Sequence, residues 1–251
     1  MSRRRNTTLE ARVASSPVSV VAIDDGVDFH VVVLDGTWVV RAPRRQTCAE
    51  ALAVEAALLP ALAAALPVQV PRFEHVTSSF AVYGLIDGTP LVDEEDGVRG
   101  FLAALHAFDV GALPVPRPDW LETYRAQCDE FRRLVVPSLD VDERARAERL
   151  FAEVETLVGF EPVLTHSDVL PEHLLCRDGR LVGVIDWGDT RVGDPALDYA
   201  WLLHGPFPHW DVDDELRRRA RVYHRLAPWF DAHRDVFLGL APNLDIVRAR
   251  L

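Results

Sequence analysis

LTHSDVLPEHLLCRDGRLVGVIDWGDTRVGDPALDYA, residues 164–200, sets polar groups that chemistry can use between short apolar runs. Pro162–Thr165, Leu174–Cys176 and Leu181–Ile185 read as short strands, and Asp178-Gly179 between the last two as a hairpin turn. His166-Ser167-Asp168 follows the first strand, and His173 comes five residues after Asp168. Asp186 ends the last strand. A carboxylate ending a buried strand, facing a loop carboxylate on a neighbouring hairpin, suits Mg²⁺ binding beside a base.

On the N-terminal side the chain turns to strands. Val18–Ile23, Phe29–Leu34 and Trp38–Arg41 are β-branched runs separated by the turn signals Asp24-Asp25-Gly26 and Asp35-Gly36, and Pro43 closes the third. Thr47, with Glu50 three residues on, predicts a capping box and a helix through Leu66 that Pro60 breaks or kinks. Val68–His75 and Ser79–Leu85 predict a further strand pair. Asp87-Gly88-Thr89-Pro90 is a breaker, followed by the acidic run Asp93-Glu94-Glu95-Asp96. Beyond it helices dominate: Gly97–Phe108, Trp120–Val135, Val141–Val158 and the stretch from Asp213. The expectation is an α+β protein of two lobes. Residues 1–87 form a small sheet lobe with one helix, and residues 88–251 a larger, mostly helical lobe. A ligand cleft is expected where they join.

The 251 residues include 27 basic and 39 acidic side chains, a net charge of −12. Such acidity argues against nucleic acid as a partner and is compatible with a cationic one. Every basic residue is arginine. Without lysine there is no Walker A loop, no Schiff base and no lysine general base. Cys48, Cys128 and Cys176 lie far apart and form no CxxC pair, which predicts a reducing, cytoplasmic setting. Met1-Ser2-Arg3-Arg4-Arg5 has no apolar run after it, so no signal peptide is expected. Ala49–Leu66, interrupted by Glu50, Glu55 and Pro60, is read as too polar and too broken to span a bilayer.

With these residues in place the chain resembles a known family. A His-x-Asp, a His five residues after that Asp, an IDWGD segment and GDPALD together look like the catalytic region of the antibiotic phosphotransferases, the aminoglycoside and macrolide kinases, which share the protein-kinase-like fold. Gly26–Arg45 (GVDFHVVVLDGTWVVRAPRR) is similar to the first hairpin of the macrolide kinases, Tyr83–Leu91 (YGLIDGTPL) to the family hinge, and Phe101–Asp109 (FLAALHAFD) to the helix after it. The resemblance covers residues 20–205. It implies that Asp168 accepts or orients the proton of the acceptor hydroxyl, that Asp186 holds Mg²⁺ on the nucleotide phosphates, and that His166 buttresses the catalytic loop. It further implies that Glu55 is the helix glutamate of an ion pair, that Gly84 and Ile86 offer hinge backbone to a purine, and that Asp194 and Asp198 are structural caps. The expected donor is ATP or GTP. The expected acceptor is a hydroxyl of a cationic antibiotic, a macrolide ahead of an aminoglycoside, or of an amino alcohol or other metabolite.

Two positions depart from the family. Arg41 stands where the strand lysine belongs, and it can clamp phosphate and pair with Glu55. His173 stands where a metal-binding Asn is usual, although some macrolide and aminoglycoside 2″ kinases also carry His there. It is read as a metal ligand, a phosphate contact or a support for the loop. There is no GxGxxG, so phosphate cover is expected from backbone around Asp25–Asp28. Plainer readings stand beside these. Arg41 is then a solvated strand-end residue, Glu55 a surface helix residue, Asp93–Asp96 a solvated face, and Trp187, Trp201, Trp210 and Trp229 are core or pocket wall. Two other functions fit the same residues: a His/Asp metal hydrolase, and a kinase-like binding module without transfer.

Overall fold

The computed structural model describes residues 18–23 and 28–251. Two compact units emerge. One takes in the chain up to Ala56 and Pro71–Ile86; the other Ala57–Val70 and Asp87–Leu251.

The first unit is an antiparallel sheet of β1 (Val20–Ile23), β2 (Phe29–Leu34), β3 (Trp38–Pro43), β4 (Phe73–Val76) and β5 (Ala81–Gly84), in the order β1-β2-β3-β5-β4. Asp35 and Gly36 both have positive φ (51° and 61°), the backbone that a two-residue hairpin between twisted strands demands. Helix α1 (Gln46–Ala65) follows β3, and its first turns pack Cys48 and Leu52 against Phe29 and Ala81. The helix already includes Gln46, so Thr47 lies inside it rather than at its cap, and Pro60 does not interrupt it. By length and composition α1 could cross a membrane. Its Leu52, Leu58, Leu59 and Leu62 are nevertheless buried within the fold, as in a core helix.

The strand expected over Val68–His75 is shorter. Only Phe73–Val76 joins the sheet, while Gln69 belongs to the second unit. There it bridges Gly183 in parallel, its amide donating to the Val182 carbonyl and its carbonyl accepting from the Val184 amide, both at 2.9 Å. The segment 57–70, assigned by sequence to the first lobe, therefore packs with the second.

That second unit contains β6 (Thr89–Pro90), β7 (Val163–Thr165), β8 (Leu174–Arg177), β9 (Arg180–Val184) and β10 (Arg191–Gly193). They form two small sheets, β6-β8-β9 and β10-β7. The Asp178-Gly179 turn again has both φ positive (51° and 70°). Around these strands lie α2 (Glu95–His106), α3 (Trp120–Leu134), α4 (Val141–Glu153), α5 (Ala196–Tyr199), α6 (Asp214–Phe237) and α7 (Leu244–Ala249). β6 falls in the segment read as a breaker, and β10 where no strand was expected. Both are two or three residues long and are recruited by a partner strand rather than by their own propensity.

Candidate active site

In the first unit a charge sits on each of two apolar faces. Side chains alternate along a strand, so Arg41 shares the inward face of β3 with Val39. On α1, Glu55 lies one turn from Leu52 and from Leu58 and Leu59, on the buried stripe. Burial makes their pairing obligatory. The Arg41 guanidinium donates to Glu55 at 2.9 Å and lies over the Phe29 ring at 4.0 Å, with 4% and 1% of the two residues exposed. Gly84 is exposed at the end of β5 and Ile86 is buried; between them the Leu85 amide donates to the Thr37 carbonyl at 2.7 Å. Of Asp25–Asp28, expected to cover phosphate, residues 25–27 lie outside the described residues. Asp28 is paired with Arg45.

The second unit assembles Asp168, His173 and Asp186. One ligand atom from each lies within 4.8 Å of the others, close enough to share a cation. Asp168 follows β7, His173 ends the short helical turn Pro171–His173, and Asp186 lies just past β9. His173 Nδ1 is 2.9 Å from the Asp168 carbonyl and 3.4 Å from its carboxylate, and His173 Nε2 is 3.6 Å from Asp186. Hydrogen bonds hold this spacing: the Ile185 amide donates to the His173 carbonyl, and the His173 amide to the Leu170 carbonyl, each at 3.0 Å. Burial pushes the Asp168 carboxyl up to about 7, while the neighbouring His173 opposes this and Asp189, Asp186 and Glu172 add to it. A bound cation would oppose it further.

His166 is fully buried and ties the two carboxylates together. Its Nδ1 accepts from the Asp168 amide at 3.3 Å, so its Nε2 donates to the Ile185 carbonyl at 3.0 Å, the peptide just before Asp186. Burial lowers its pKa to about 4, and the ring stays neutral in this tautomer. Trp187 anchors the other side of Asp186. Its indole donates to the Val184 carbonyl and its ring meets His166 edge-on at 4.7 Å. Ser167 and Asp186 adopt positive φ (72° and 63°), a conformation that persists only where the surroundings enforce it.

Asp198 provides that enforcement for the loop. Fully buried, it accepts from the His166 amide (3.2 Å), the Ser167 amide (2.7 Å) and His106 Nε2 (2.9 Å). Asp194, also fully buried, caps the Ala196 amide at 2.9 Å and accepts from Arg219 at 2.7 Å and Tyr223 at 2.9 Å, which docks α6. Sequence reasoning singled out both aspartates but not their partners. His106, alone among apolar residues at the end of a helix, was the available signal. Arg219 and Tyr223 lie in an arginine-rich helix where nothing marks which turn faces inward. Gly193 is set by close approach: a Cβ there would stand 2.0 Å from the Trp120 ring. Trp187, Trp210 and Trp229 are buried, as the plain reading expected. Asp93 and Glu94 of the acidic run line a separate cavity of about 370 Å³.

Comparison with known proteins places this geometry. Residues 19–235 match the model of the phosphotransferase enzyme family. An uncharacterized protein, YcbJ, of Bacillus subtilis (strain 168) is 28% identical over 215 residues, covering 70% of this chain and 67% of that one. Viomycin phosphotransferase of Streptomyces vinaceus is 30% identical over 132 residues, covering 51% of this chain and 40% of its own length; the match thus spans less than half of that enzyme. Among solved structures, the GDP and kanamycin complex of APH(2″)-IIIa superposes with a TM-score of 0.81 at 22% identity, over 97% of this chain and 94% of that one. The macrolide 2′-phosphotransferase MphH from Brachybacterium faecium superposes with a TM-score of 0.66 at 25% identity, over 96% and 94%. The antiparallel sheet, the helical second unit and the Asp168–His173–Asp186 cluster thus stand on a kinase-like fold, and the chain belongs to the phosphotransferase enzyme family.

Proposed function

We propose that this protein transfers the γ-phosphoryl group of ATP or GTP to a hydroxyl of an amine-bearing antibiotic. The observation that carries the reading is the convergence of Asp168, His173 and Asp186 within 4.8 Å on a phosphotransferase fold. Asp168 takes the proton of the acceptor hydroxyl, whose oxygen bonds to the γ-phosphorus. The bond from that phosphorus to the β–γ bridging oxygen breaks, and nucleoside diphosphate leaves. Asp186 and His173 hold the divalent cation, Mg²⁺ in the simplest form, which neutralises phosphate charge when bound. Two carboxylates suit Mg²⁺; the imidazole suits it less. Arg41, positioned by Glu55, serves the nucleotide phosphates, and Gly84 and Ile86 border the base. His166, Asp194 and Asp198 support the loop.

Relatives and structural neighbours include enzymes named for viomycin, aminoglycosides and macrolides, and all three substrate types carry amines that an acidic protein attracts. The Gly26–Arg45 hairpin favours a macrolide, and an aminoglycoside is the second choice. The test measures nucleoside diphosphate release with ATP and GTP separately, against macrolides, aminoglycosides, viomycin-type peptides and small amino alcohols. Acceptor-dependent release is expected, falling by about 10²–10⁴-fold in Asp168→Ala. Undiminished transfer in that variant would remove Asp168 from the mechanism. Release stimulated only by an amino alcohol or other metabolite would replace the antibiotic with a metabolite acceptor.

A further inference from the structure

We propose that Phe29 is a positioning residue for nucleotide binding, the aromatic floor that lets an arginine serve at position 41. The inference rests on reading Arg41 as the phosphate clamp of a phosphotransferase and adds the group that aims it. Strand register brings the two side chains together. Between β2 and β3, Val31 lies opposite Arg41 and Phe29 opposite Pro43, so Phe29 is the diagonal neighbour of Arg41 on one face of the sheet. The guanidinium carbon lies 4.0 Å from the centre of the ring, inside the reach of about 6 Å over which a ring face attracts a cation. Both residues are buried, where such an attraction is strongest. The ring itself is fixed. It packs with Cys48 and Leu52 of α1 and with Ala81 of β5, and the Phe29 carbonyl accepts from Arg44 Nε at 3.3 Å. Leu52 is one turn before Glu55, so the ring is wedged against the part of the helix that carries the arginine's anion.

Arginine at position 41 gives that ring a task. An ammonium is a compact point charge whose donors rotate about one bond, whereas a guanidinium holds its donors in one rigid plane. The bond from Arg41 Nη1 to Glu55 Oε2, at 2.9 Å, fixes where the group sits. The flat ring beneath it fixes the tilt of the plane, and with it the direction in which the remaining N–H groups point. A bidentate grip on phosphate depends on that direction.

The affinity of the full chain for ATP and for GTP, each with Mg²⁺ and without an acceptor, is measured by isothermal titration calorimetry. Phe29→Leu keeps an apolar side chain but loses the ring face, and is expected to weaken nucleotide binding about tenfold. Phe29→Tyr keeps the face and is expected to bind as the wild type does. Phenylalanines bearing successively more ring fluorines, incorporated at position 29, keep the shape while draining negative charge from the face. Affinity is expected to fall stepwise along that series, which a ring that only fills space would not cause. The series also serves as the test should Phe29→Leu fail to fold. Combined with Arg41→Lys, Phe29→Leu is expected to cost less than about threefold further, since an ammonium has no plane to hold. Equal affinity across the fluorinated series, or an equal loss from Phe29→Leu with and without Arg41→Lys, overturns the proposal and leaves the kinase reading in place. A wild-type chain that binds neither nucleotide overturns the reading of Arg41 as a phosphate clamp, and this inference falls with it.

Discussion

Arg219 and Tyr223 both donate to one oxygen of Asp194, and the Trp120 indole donates in turn to the Tyr223 hydroxyl at 2.6 Å. All four groups are buried, and the Asp194 carboxylate supplies the charge that opposes the Arg219 guanidinium at 2.7 Å. Asp194→Ala is expected to destabilise the protein by about 3–5 kcal/mol, because a buried arginine is left uncompensated. Urea unfolding at unchanged slope measures it, and a loss under about 1 kcal/mol would mean that water reaches Arg219. Asp194→Asn, which keeps an acceptor for the Ala196 amide, should lose less. At this same scale Asp168, His173 and Asp186 were legible in the sequence because their types and spacing are unusual for a loop. The hydrogen-bonding that aims them was not legible. His106 and Asp198 are 92 residues apart, and no local pattern joins them.

Helix α1 shows how an element can tolerate a residue that its own chemistry disfavours. Pro60 has no amide hydrogen to give the Ala56 carbonyl, yet the helix continues from Gln46 to Ala65. Tertiary packing overrides the local penalty, since Leu58, Leu59 and Leu62 are each at most 1% exposed. Pro60 itself is exposed, so Pro60→Ala restores the bond without disturbing the core. The variant is expected to be more stable by about 1–2 kcal/mol, the helix gain less the extra freedom of the unfolded chain. An unchanged melting temperature would mean that the helix is already relaxed around the missing bond. The two Asp-Gly hairpins are the opposite case. Local preference and tertiary pairing agree there, and both turns were read correctly from the dipeptide alone.

Over the whole molecule, folding changes how several groups bind protons. His224 stacks on His204 with ring centroids 4.4 Å apart, and burial, with Arg250 and His204 nearby, lowers its pKa to about 4. His166 is lowered to a similar value by burial. Between about pH 4 and 6.5 the unfolded chain therefore binds protons at these histidines that the folded chain does not, and stability falls as pH drops through that window. Asp168, raised to about 7, acts with the opposite sign, since its folded form keeps a proton that the unfolded chain releases. Comparing wild type with His224→Leu isolates one histidine. The wild type is expected to lose about 1–3 kcal/mol more than the variant on going from pH 7 to pH 4. Parallel stability curves would show that His224 is solvated in the folded state. The larger organisation follows the same division between local and non-local causes. The alternation of β2 and β3, the helical periods after residue 94, the two Asp-Gly turns and the cluster of functional residue types are local, and the sequence alone determined them. The tertiary structure alone decided that Gln69 pairs with Gly183, that Arg41 and Glu55 meet under Phe29, and that Asp198 holds the backbone before Asp168. Each of these joins residues that no local pattern links, and the Arg41–Glu55 and Asp198 contacts exist because a buried polar group must find a partner, a requirement that acts only once the chain has closed on itself.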